Sequence, residues 1–199
     1  MRDPDKIDRR VMYTKMFLRE SLLALMQEKP IGKITTAELC RHAQMNRNTF
    51  YSHYNSPADL LGSIEAEFHE QVGCSIEHSL TRGGIGTFLT EICQAIYDHR
   101  DLCRVLFSEN GDKEFLHRII DLGRDAVMLE WRALGVENSA EEIEMLYLHS
   151  ANGAVSVIRK WLLDDMPLSP AALAEFINQT TYSGIQSFVS PRRNPRLRA

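Results

Sequence analysis

The sequence predicts an all-α protein of about nine helices, and three observations predict it. Apolar residues recur three and four positions apart along most of the 199 residues. No stretch alternates apolar with polar side chains as a half-buried strand does. Helix-start signals stand where those patterns begin: Thr35 three before Glu38, Ser139 three before Glu142, and the pairs Ser56-Pro57 and Ser169-Pro170. Breakers stand where they end, at Pro30-Ile31-Gly32 and Gly83-Gly84.

The first helix is predicted over 8–29, where Ile7, Val11, Thr14, Leu18, Leu22 and Leu25 keep the helical spacing. Thr35 and Glu38 form a capping box opening a short helix over 36–43, with Leu39 and Ala43 on one face. Gln44-Met45 is a brief break, and Asn46 caps a second short helix that runs to about residue 53. Ser56 starts a fourth helix to about residue 81, with Pro57 in the first turn and Asp59 favouring the helix dipole. Beyond the glycine break, helices are predicted over 85–97, 99–108, 112–134, 140–163 and 170–188; Asn110-Gly111-Asp112 reads as a turn. There is no repeat or low-complexity tract, and the arginine-rich segment 191–199 is expected to be disordered.

With 44% apolar residues the chain can bury a core in one or two small domains. No window approaches the ~18 uninterrupted apolar residues of a membrane span, so no membrane partner is expected. The opening MRDPDKIDRR is charged and lacks the apolar run of a signal peptide. Cys40, Cys74, Cys93 and Cys103 sit at unrelated spacings and read as reduced thiols of a cytoplasmic protein. The net charge of −4 is unevenly spread. Residues 1–60 carry ten Lys/Arg against seven Asp/Glu, residues 61–190 carry nine against twenty, and the tail adds four arginines. A basic head on an acidic body suits a protein that presents one end to phosphate, although ordinary surface variation would produce a similar imbalance.

The stretch from Ile34 to Asn55, ITTAELCRHAQMNRNTFYSHYN, carries the functional information. On its second helix Phe50 and Tyr54 stand four apart and can pack inward, leaving Arg47, Asn48, Thr49, Ser52 and His53 outside. Two short helices joined by a tight turn, the second polar and rich in donors on its outer face, make a helix-turn-helix. A hairpin serving only as core would not gather those five polar residues on one short face. Arg47 can fork onto guanine O6 and N7, Asn48 can pair with adenine or reach phosphate, and Ser52 lies one turn on. Thr36, Thr49, Tyr51 and His53 have the reach for phosphates, and Lys33 adds a mobile charge ahead of the first motif helix.

The run ITTAELCRHAQMNRNTFYSHYNSPADLL resembles the DNA-binding signature of the TetR family of bacterial transcriptional regulators. The matching positions are Ile34, Thr35, Leu39, Ala43, Met45, Thr49, Phe50, Tyr51, Tyr54, Leu60 and Leu61. The form NRNTFYSHY, with the later GAVSVIRKWLLDDMPLSP, is similar to a subgroup typified by activators of dihydroxyacetone kinase operons. The resemblance implies a three-helix DNA-binding head over 1–55 and a helical ligand-binding and dimerisation body over 56–190. It implies the same division of contacts, with Arg47, Asn48 and Ser52 at bases and Thr36, Thr49, Tyr51 and His53 at the backbone. Three positions depart from the family pattern: Gln44 stands where glycine is common, Pro57 where lysine is usual, and Ala37 is too small to read a base.

The resemblance further implies a homodimer reading a palindromic operator and a small-molecule effector of unknown identity, with no cofactor. The last two long helices are the expected pairing surface. There Ser150-Ala151-Asn152-Gly153-Ala154 would allow close approach, and Val155, Ile158, Trp161 and Leu162 add apolar bulk. The same run is nearly as well suited to packing within one chain. An effector pocket is expected among Tyr97, Arg104, Phe107, His117, Arg124, Trp131 and His149, each also explicable as a core aromatic or a solvated charge. The two arginines would favour an acidic effector.

Rival readings remain open at this point. Cys74 with His78, and Glu65 with His69, lie four apart and could chelate a metal, but no third ligand clusters with them, so no metal site is assigned. A co-regulator with a vestigial DNA-binding head is another alternative. An enzyme is not expected, since the chain holds no phosphate loop, nucleophile elbow, H-E-x-x-H or kinase set.

Overall fold

The chain is seen in a computed structural model that describes residues 4–82, 84–111, 113–136 and 138–189. Among these residues there are ten α-helices and no strand, beyond an isolated bridge between Val136 and Val189. The expected Gly83 break, the Asp112 part of the expected turn, the tail 191–199 and the side chains of Ile7 and His78 lie outside the described residues.

Two compact units result. The first comprises Met1–Glu70 and Asp101–Leu116. It holds α1 (Pro4–Glu28), a 3-10 turn (Ile31–Lys33), α2 (Thr36–His42), α3 (Arg47–Tyr51) and the start of α4 (Pro57–Arg82). It also takes in nearly all of α6 (Arg100–Leu106) and the first residues of α7 (Lys113–Leu122). Of the spacing read from the sequence, Leu18, Leu22 and Leu25 of α1 and Leu60, Leu61, Ile64 and Phe68 of α4 are buried, Val11 and Thr14 are half-buried, and Met26 joins the buried set. Phe115 is buried beside Phe68, with ring centroids 6.3 Å apart.

The second unit comprises Gln71–Arg100 and His117–Ala199. Here α5 (Gly84–Asp98) lies along α10 (Pro170–Gln186), and α8 (Arg124–Ala133) packs on α9 (Ala140–Leu163). Its core gathers Trp131, Val136, Ile143, Tyr147 and Ile185. The Tyr147 hydroxyl donates to the Ile120 carbonyl at 2.5 Å, and burial pushes its pKa up to about 12. Ser139 and Glu142 form the expected capping box at the start of α9. After α9 the backbone turns through Asp165 and Met166, both at positive φ (59° and 53°), and the Trp161 indole N–H closes the turn by donating to Leu168 O at 2.9 Å.

One expected helix is two. The apolar spacing runs unbroken through 112–134, yet the chain breaks at Gly123 into α7 and α8. The break falls at Gly123, and the site is tightly packed: a Cβ there would lie 3.3 Å from the ring of Phe88 on α5.

Candidate nucleic-acid interface

The candidate site is assembled by caps. The Thr35 hydroxyl accepts from the Glu38 amide at 3.2 Å, starting α2. The Glu38 carboxylate takes Lys29 Nζ at 2.5 Å; this hydrogen bond first, with the Lys29 charge and the Thr35 amide adding to it, lowers the Glu38 pKa from its ordinary value. At the other end of α2 the Met45 amide donates to Cys40 O at 2.8 Å and the Gln44 amide to Arg41 O at 3.2 Å. These are the two bonds of a Schellman motif, which places one residue in the left-handed region. That residue is Gln44, at φ 52°. The family glycine therefore had a reason, and this chain meets the same geometry with a side chain that dislikes it.

Asn46 then caps α3, its Oδ1 accepting from the Asn48 amide at 2.9 Å. Phe50 is 0% exposed, with Tyr51 and Tyr54 rings 5.6 Å and 6.0 Å from its own. Around the buried Phe50, its neighbours Arg47, Asn48, Thr49, Tyr51 and Ser52 are all exposed. Lys33 is exposed, and Thr36 and His53 are half-buried. Ser52 Oγ donates to Thr49 O at 2.7 Å. Asp59 receives both the backbone amide and the side-chain amide of Asn55 (2.8 and 3.0 Å), fixing where α4 departs from α3. Arg41 and His42, also exposed at the end of α2, are polar neighbours outside the sequence-predicted set. Their last-turn position already explains basic residues there, so nothing in the sequence singled them out.

The residues expected to line an effector pocket fall in both units. Arg104 and Phe107 belong to the first unit; Tyr97, His117, Arg124, Trp131 and His149 belong to the second. Trp131 is buried in the core with its ring 6.4 Å from Tyr147, while Tyr97, His117 and His149 are exposed. Arg124 forms an ion pair with Glu144, and its pKa is raised chiefly by that hydrogen bond. Burial pushes the Cys93 and Cys103 thiols up to about 12. Among the described residues no three His, Cys, Asp or Glu side chains gather to hold a metal, and Cys74 is exposed. Among them too, no helix is long and apolar enough to cross a membrane.

Of the six residues expected at a pairing surface, Ile158, Trp161 and Leu162 are buried within the protomer, and Ala151, Ala154 and Val155 are half-buried. An open cleft of about 630 Å³ runs instead along α9 and α10, lined by Ala154 and His149 with Met145, Phe176, Thr180 and Phe188. Met145 is 62% exposed and Phe176 53%. An added Cβ on Gly153 or Gly184 would meet nothing, so both leave notches in that face.

Comparison with known proteins adds to this geometry. A family model of the TetR C-terminal class, described as a transcriptional regulator C-terminal region, matches residues 85–183. The fold is similar to that of the dihydroxyacetone kinase operon activator DhaS, at 18% identity and a TM-score of 0.60 over 90% of this chain and 99% of that one. It is similar to a TetR transcriptional regulator from Streptococcus agalactiae 2603V, at 20% identity and a TM-score of 0.60 with the same coverage. It is also similar to the fatty acid degradation regulator FadR from Bacillus halodurans, at 12% identity and a TM-score of 0.65 over 92% and 97%. No curated protein matches by sequence.

Proposed function

We propose that this chain, which belongs to the TetR family of transcriptional regulators, binds double-stranded DNA as a homodimer and reads a palindromic operator with α3. The observation that carries the reading is the two-sided character of α3. Phe50 is fully buried, and Arg47, Asn48, Thr49 and Ser52 stand together on the exposed side. Arg47 and Asn48 occupy the first turn, the part of a recognition helix that meets base edges, so they are assigned to bases together with Ser52. Lys33, Thr36, Thr49, Tyr51 and His53 are assigned to the phosphates that fix register. The head is assigned to 1–55 and the ligand-binding and dimerisation body to 56–190.

Pairing is assigned to the α9–α10 face. Support comes from the apolar side chains left uncovered there, Met145, Leu148, Phe176 and Phe188, which in the free protomer stand in water. A small-molecule effector would act by favouring one spacing of the paired heads, limited by its differential affinity for the two spacings. Because Glu144 already neutralises Arg124, that arginine no longer argues for an acidic effector. We assign the protein to the cytoplasm, with no catalytic role of its own.

Selection of bound DNA from a random pool by the purified full-length chain tests the reading. The expected product is a palindrome whose half-sites lie about one helical turn apart, ~34–36 Å, or a multiple of it. Recovery of unrelated sequences with no shared half-site would overturn it.

A further inference from the structure

The end of α1 has a defect that a distant residue repairs. Pro30 follows α1 and has no backbone N–H, so the Met26 carbonyl, four residues earlier, cannot receive the i→i+4 bond that would continue the helix. Asn110 supplies the missing donor. Its Nδ2 lies 3.2 Å from Met26 O, with a longer contact of 3.5 Å to Gln27 O. The turn that carries Asn110 is tightly determined. Ser108 Oγ donates to Val105 O at 2.7 Å and accepts from the Asn110 amide at 3.1 Å. The Gly111 amide donates to Ser108 O at 3.3 Å, and a Cβ on Gly111 would fall 2.2 Å from Leu106 O. Asn110 is thus delivered by a turn that has little freedom to move.

From the anchored end of α1 to the DNA-reading helices there is no slack. Lys33 N bonds Pro30 O at 2.9 Å and Ile34 N bonds Ile31 O at 3.0 Å, closing the 3-10 turn. Ile34 is buried, and Lys29 is tied to Glu38 of α2. An error in the direction in which α1 ends would therefore pass to α2 and α3.

We propose that Asn110 is a positioning residue for DNA reading, its side-chain amide standing in for the donor that Pro30 lacks and so setting the direction from which the helix-turn-helix hangs. The proposal rests on the DNA-binding reading given above. It predicts that Asn110 and Pro30 are coupled although they lie far apart in the chain.

The test uses full-length protein and the DNA site recovered by selection, with binding measured well below the unfolding transition. Asn110→Ala is expected to weaken binding about tenfold. Asn110→Asp should weaken it further, because a carboxylate beside the carbonyl end of a helix is repelled. Pro30→Ala restores a backbone donor, so Asn110→Ala placed in that background should cost less than about threefold. The double variant also serves if Asn110→Ala alone fails to fold. Affinity of Asn110→Ala within about twofold of wild type, or an equal loss in both backgrounds, overturns the proposal, as does a lowered Tm with unchanged affinity. If the wild-type chain selects no DNA, the function reading is what fails. The positioning claim is then decided by amide exchange over 31–42. Faster exchange in Asn110→Ala, reversed in the double variant, supports it; unchanged exchange overturns it.

Discussion

Lys29, just past the end of α1, donates to Glu38 in the first turn of α2, with Nζ 2.5 Å from Oε1 and both side chains about a quarter exposed. Glu38 also faces the positive end of its own helix, and its pKa is lowered, first by the Lys29 hydrogen bond. A carboxylate whose folded pKa is depressed contributes stability above its unfolded pKa and loses it as pH falls through the folded value. The contribution should therefore be complete well above pH 4.5, the ordinary value, and fade below it. Thermal unfolding of Glu38→Gln should fall below wild type near neutrality and converge with it in acid. A Tm gap that stays constant down to low pH would contradict this.

Gln44 holds the left-handed position of the Schellman turn at φ 52°. Glycine adopts that conformation without strain, at the cost of greater freedom when unfolded. Gln44→Gly should therefore raise stability by ~0.5–1 kcal/mol in chemical denaturation. A loss would mean that the glutamine side chain makes a compensating contact.

Arg47 and Phe50 sit three apart on α3 and should fail in opposite ways. Arg47→Ala should cost ~1–3 kcal/mol of specific DNA binding, flatten the preference at one base and leave Tm nearly unchanged. Phe50→Ala should cost ~3–5 kcal/mol of folding stability, since the ring is fully buried. Binding and melting curves on the same two proteins separate the reading face from the anchor. An Arg47→Ala protein with unaltered preference would favour the co-regulator reading.

Met145 and Phe176 flank the α9–α10 cleft and are exposed, whereas Ile158 is buried. Met145→Glu with Phe176→Arg should leave a folded monomer, measured by sedimentation and circular dichroism. Ile158→Glu should instead disrupt the fold, because an unpaired charge would enter the protomer core. A dimer that survives the first pair of changes would move the pairing surface elsewhere.

What could be read from the sequence was local. Thr35 with Glu38, Asn46 with Phe50, and Ser139 with Glu142 act over three or four residues, and their caps and anchored ring are all present. The Gly123 break was hidden because Ile119, Ile120, Val127 and Met128 keep the apolar spacing across it. The side of α9 that faces its own chain was hidden for a related reason. Both sides are apolar, and only packing distinguishes buried Ile158, Trp161 and Leu162 from exposed Met145 and Leu148. The Asn110 bond to Met26 O could not be foreseen either, since no spacing rule links residues so far apart.

The Trp161 indole that closes the turn after α9 and the core Trp131 are the chain's two tryptophans, and both lie in the second unit. Intrinsic emission excited in the indole band is consequently silent about the Arg47-bearing half of the molecule. A melt followed by that signal tracks the C-terminal helices alone. One followed by helical ellipticity tracks everything, and any lag between the two traces dates the loss of the N-terminal bundle without a label.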